Sequence, residues 1–287
     1  QGSNPCLSAL RKIYFRENLA PSAECCRLHI FTAKSLIRKF MGGDRTTYLI
    51  IGVILIVTLL GGAFYWSQKQ KPEDAEYNPV INPSDFISKV DNKYFVLEPG
   101  TKFIYENKTD EGLERIEVTV TNEVKKVMGV TATVVRDKVW LNDELIEDTK
   151  DWYAQDKEGN VWYFGEDVDN YESGELKDHK GAWEAGVDGA KPGIIMLANP
   201  KVGDSYRQEY YKGEAEDMAD VIAIGKKVTV SSGTFDDCLQ TRDWSKIEST
   251  ANEYKYYCPA VGFVVLEESV KNGREKVELV STSIEYE

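Results

Sequence analysis

The residues best suited to chemistry lie in Asp151–Asp167, DWYAQDKEGNVWYFGED. Trp152 and Tyr153 precede a polar knot and Trp162 and Tyr163 follow it. Such rings can stack on a sugar or hold an apolar tail, and Trp183 in GAWEAG joins them as a candidate contact. The bland reading is a β-hairpin whose rings are sheet core. Neighbouring strand residues point to opposite faces, so each face receives one ring from each strand. At least one face is then core, and the other either pairs across strands or exposes an aromatic patch. Gly159 and Asn160 suit a hairpin loop, and the hairpin with packed rings is the preferred reading.

Acid–base and metal chemistry are poorly supplied. The chain has two histidines, His29 and an isolated His179, which removes most triads and His-metal sites. No GxSxG, Walker or dinucleotide-binding fingerprint occurs. Glu166, Asp167, Asp169 and Glu172 crowd one segment, but without the residue order of a calcium loop. Carboxylates are abundant enough that a facing hydrolytic pair stays open as an alternative. No cofactor, no metal site and no catalysis are expected. Asn107-Lys108-Thr109 fits a glycosylation sequon, which matters only in a eukaryotic secretory setting.

Two cysteines remain in the C-terminal part, Cys238 and Cys258. With Trp244 and Asn252 flanking a hairpin loop centred on Glu248, they fall opposite each other, close enough for a disulfide. A disulfide implies an oxidising compartment. Two buried thiols are the competing reading.

The elements that must carry these residues can be read from composition. Tyr48 to Trp66 is a nineteen-residue apolar run, about 28 Å as a helix, with aromatic residues at both ends. It is expected to anchor the chain in a lipid bilayer by a single transmembrane helix over 48–66, placing the C-terminal domain outside the cytoplasm. Signal cleavage near Ala63 and secretion is the alternative. Residues 1–66 carry eight Lys/Arg against three Asp/Glu, net +5, and the rest 27 against 45, net −18. So acidic a domain repels polyphosphates, and no nucleic-acid partner is expected. Residues 1–40 are basic, hold three of the five cysteines and read as a non-native or disordered extension. A short cytoplasmic leader spans 41–47. Pro72, Pro79 and Pro83 mark a polar spacer over 67–90.

From about Asp91 to 287, short runs of Val, Ile, Thr and Tyr alternate with turn residues every 8–12 positions. Strands are read at Thr101–Asn107, Arg115–Glu123, Val130–Trp140 and Leu145–Tyr153, and again through Lys276–Ser283. In RIEVTVTNE, Ile116, Val118 and Val120 alternate with polar residues, so one face is apolar. Gly186–Gly203 reads as the longest break, and Gly213–Ala219 as the one short helical candidate. The fold class is all-β, a curved antiparallel sheet, half-barrel or sandwich, in one extracytoplasmic domain.

DWYAQDKEGNVWYFGED, the segment from Gly181 to Ala219, and GTFDDCLQTRDW with YKYYCPAVGFVVLEE resemble a family of uncharacterised secreted or membrane-anchored bacterial proteins. The resemblance covers roughly Tyr94 to Glu268. In that family a small residue is common at the position of Cys258 and glycine is usual at that of Ala260. The sheet is similar to those of periplasmic lipoprotein carriers, a likeness of fold alone. The function expected is a binding or carrier module for an apolar or carbohydrate ligand. A scaffold or protein-interaction domain is the alternative, and protein partners stay unassigned.

Overall fold

The computed structural model describes residues 77–248, 252–270 and 275–284. The apolar run 48–66, the leader and the extension lie outside them. Among the described residues no helix is long and apolar enough to cross a membrane. From Asn78 onward the described residues belong to one compact unit.

The unit is antiparallel β throughout, with one 3-10 turn at Pro83–Asp85. Three short strands come first: β1 (Phe86–Ile87), β2 (Val90–Asn92) and β3 (Phe95–Leu97). A meander comes next: β4 (Lys102–Thr109), β5 (Gly112–Val127), β6 (Val130–Leu141), β7 (Glu144–Asp156) and β8 (Val161–Glu172). β9 (Glu175–Asp178), β10 (Trp183–Glu184) and β11 (Lys191–Met196) then pair in turn along the same edge of β8. After β12 (Ser205–Arg207) and β13 (Glu209–Tyr210) come β14 (Asp217–Val230), β15 (Gly233–Ser245), β16 (Asn252–Cys258), β17 (Phe263–Ser269) and β18 (Lys276–Thr282).

Sequential strands pair, and β18 returns to pair with β4. The other junction is made by one short run, 205–210. Its first half pairs with β14 and its second half with β11, while the Gln208 amide donates to the Asp217 carbonyl. The sheet thus curls into a nearly closed ring rather than stopping at a half-barrel or splitting into a sandwich. Closure leaves few unpaired edges, the usual hazard of an isolated sheet. Gly193 permits it: a β-carbon there would collide with the backbone of Gln208.

Alternation sets the interior. In β5, Glu114, Ile116, Val118 and Val120 are buried, with half-buried residues between them. Two expectations are corrected. The break read over 186–203 contains β11, a wall strand whose Ile195 and Met196 are fully buried. The helical candidate 213–219 is instead a turn closed by the Tyr211–Ala215 bridge, after which β14 begins. Alternating acidic and small residues there match strand burial, and seven residues are too few to nucleate a helix unaided. The polar spacer also enters the sheet at its end, where Phe86 and Ile87 pair with Asp156 and Gln155.

The β2–β3 hairpin plugs one end of the ring. The Val96 amide donates to the Gly262 carbonyl, and Asn92 Nδ2 donates to the carbonyls of Gly159 and Leu197. Phe95 enters the core there, 5.2 Å from the Tyr153 ring and 4.9 Å from that of Phe263. The opposite end carries the β4–β5, β6–β7 and β8–β9 hairpins.

Candidate functional site

The hairpin expected at DWYAQDKEGNVWYFGED is β7–β8. Its turn is held by the Asp156 carboxylate, which accepts from the Glu158 and Asn160 amides, Asn160 Nδ2 and Trp162 Nε1. Tyr153 and Tyr163 lie opposite each other inside the sheet, stacked at 5.0 Å, with the Trp183 ring edge-on to Tyr163 at 5.3 Å. With Phe95, Phe263 and Phe103 they form one continuous aromatic core.

The other two rings, Trp152 and Trp162, are also covered. Lys125 Nζ sits 3.6 Å from the centre of the Trp152 ring and pairs with Glu184. Phe86 of β1 packs against Trp162 and Phe164. The structure therefore brings Tyr153, Tyr163 and Trp183 together and places Trp152 and Trp162 elsewhere. All five are buried or half-buried. Cys238 and Cys258 form a disulfide with Cα atoms 4.2 Å apart. The β15–β16 register, Leu239 to Tyr257 through Trp244 to Asn252, is the one expected from a loop centred on Glu248.

Toward the hairpin end the interior changes character. Glu114, Asp137, Glu147, Asp151 and Glu166 are buried on β5 to β8, and Glu209, Asp217, Asp243 and Glu267 are buried on β13, β14, β15 and β17. Lys255 is the single buried lysine among the described residues. Burial disfavours the charged form of a carboxylate, and neighbouring carboxylates add to that. Burial pushes Glu114 up to about 7, against an Asn107 amide that donates to it at 3.1 Å, and Glu147 adds a smaller push. Asp137 is driven well above the usual carboxylate range by burial, then by Glu147, Glu114 and Glu166. Burial and Glu166 do the same to Asp151, which accepts the Tyr163 hydroxyl at 2.7 Å.

Asp137 Oδ1 has no hydrogen-bond partner among the described residues. Nor do any three Asp, Glu, His or Cys side chains among those residues converge on a point that could cage a metal ion. The acids are spread over a wall. They suit a ligand with extended positive charge, or a network that shares protons, better than a compact metal centre.

No protein-family model, curated protein or solved structure matches this chain. Function is therefore inferred from the chain's own residues.

Sequence reasoning weighed Glu166 only as part of an acidic turn and passed over the others because each is ordinary alone. Their signal is phase. Glu114 continues the buried series Ile116, Val118 and Val120, and Glu147, Thr149 and Asp151 repeat the same two-residue step. A charged residue in the apolar phase of a strand is the mark of a polar interior.

Proposed function

We propose that the chain is a membrane-anchored, outward-facing β domain that binds a ligand without transforming it, and that the ligand carries positive charge. The observation behind this reading is Asp137: buried, surrounded by Glu114, Glu147 and Glu166, and with one oxygen lacking a hydrogen-bond partner among the described residues. Unsatisfied buried carboxylates are costly, and an ammonium or guanidinium group would offset both the charge and the missing donors. The aromatic rings support a stacked sugar or apolar tail less well, because they are packed against one another and against Lys125 and Phe86.

The test is calorimetric titration of the detergent-solubilised chain with putrescine and, separately, with calcium. Putrescine should bind at about pH 8 and weaken toward about pH 5 as the acids take up protons. Asp137→Asn should weaken it further. Binding that is absent at both pH values, or unchanged by Asp137→Asn, removes the proposal.

A scaffold without a ligand is the second reading, favoured by the plug: Phe95 and its neighbours fill one end of the ring. Clean apo protein in the titrations would select it. The hydrolytic alternative draws on Asp151 and Glu166, which face each other in register, but both are buried rather than set in an open cleft.

A further inference from the structure

Lys255 lies on β16 with its side chain fully buried. Its Nζ is 3.3 Å from Asp243 Oδ2, 3.7 Å from Glu253 Oε1 and 3.7 Å from Glu267 Oε2. The strands impose this grouping: Asp243 pairs with Glu253 on one side of β16, and Glu267 pairs with Lys255 on the other. Two donors address Asp243. The Thr241 hydroxyl donates to Oδ1 at 2.8 Å, and Gln208 Nε2 donates to Oδ2 at 3.1 Å.

A buried lysine beside three acids is usually read as an ion pair, yet each buried ion carries a large desolvation cost. A neutral amide in the same place carries none of that charge. We propose that Lys255 and Asp243 condense into an intramolecular amide that ties β16 to β15. Lys255 passes a proton to the Glu253–Glu267 pair, and its free amine attacks Cγ of Asp243. Oδ1, held by the Thr241 hydroxyl, carries the oxyanion, the role of a preorganised donor in acyl transfer, and Oδ2, held by Gln208, is the oxygen that leaves. The Nζ–Cγ bond forms and one Cγ–O bond breaks. Two of the three ammonium protons leave with the departing oxygen as one water, so charge and atoms balance without a co-reactant.

The folded sheet supplies the proximity. Groups held this way react as if at effective concentrations on the order of 10⁵ M or more. Glu267 is suited to relay the protons because burial, with Glu253 beside it, holds its carboxyl well above the ordinary range. The cross-link is separate from the cationic-ligand reading, and either can fail alone.

Intact-mass measurement of the full chain, denatured and reduced so that the disulfide is open, tests the proposal. The mass should fall short of the sequence by one water, and digestion should yield a branched peptide joining Asp243 to Lys255. Lys255→Arg should restore the full mass. Glu267→Gln should also retain the water, while its circular dichroism still reports the β fold. If that variant fails to fold, the wild-type mass and peptide map decide alone. An unmodified wild-type mass, a branch to Glu253 or Glu267, or a water loss mapped to a linear succinimide peptide each overturns the assignment.

Discussion

Asp151 on β7 and Glu166 on β8 face each other directly across the ladder, both buried, with the Tyr163 hydroxyl donating to Asp151. Two carboxylates so placed cannot both ionise cheaply. Burial and Glu166 therefore make Asp151 hold its proton to higher pH in the fold than in the unfolded chain.

Stability against pH takes a definite sign from this. Carboxyls raised above their unfolded values favour the folded state most below the ordinary carboxylate range. That contribution is lost as pH rises through the folded value. For Glu114 the window runs from 4.5 to about 7, worth on the order of 3 kcal/mol, and Asp137, Asp151 and Glu267 act in the same direction. Thermal unfolding midpoints should fall as pH rises across this window, and Glu114→Gln should flatten the lower part. A midpoint that rises over the same range would falsify the protonated interior.

Phe95→Ala should destabilise the domain by about 3–5 kcal/mol, because the ring is fully buried between Tyr153 and Phe263 at the plugged end. Denaturant titration gives the loss. Near-ultraviolet circular dichroism should weaken with it, since those tyrosine and phenylalanine rings lose their fixed packing.

Opening the Cys238–Cys258 bridge, which closes a separation of 20 residues, should cost about 2–4 kcal/mol. Denaturation midpoints with and without reductant measure this. The double variant Cys238→Ala, Cys258→Ala should match the reduced protein and no longer respond to reductant.

Gly193→Ala strikes the closure itself, since its β-carbon meets the backbone of Gln208. Hydrogen exchange should quicken through 205–210 and the paired residues of β11 and β14, with a global loss of about 2 kcal/mol or more. Exchange as slow as in the parent chain would show that the run 205–210 does not hold the ring shut.

How much of the fold and of the site is legible in the sequence depends on the range of the forces concerned. The β7–β8 hairpin, the alternation in RIEVTVTNE and the Cys238–Cys258 pairing can all be read along the chain. Each depends on residues within one turn or one hairpin, where two-residue periodicity and loop chemistry suffice. Lys191–Met196 looks like loop because Pro192 and Gly193 break the strand signal, yet its hydrogen bonds come from β8 and β13, distant in sequence.

The amino-acid order by itself determined an all-β chain, the β7–β8 hairpin, the β15–β16 register and the site of its disulfide, because those are set by local sterics and by a period of two. Only the tertiary structure decided that the sheet curls into a nearly closed ring, that the candidate rings are covered, and that acids from strands far apart share one interior. Those outcomes depend on which faces meet when the ends of the sheet come together. Desolvation and charge repulsion then act on Asp137 through neighbours that no local stretch of sequence displays.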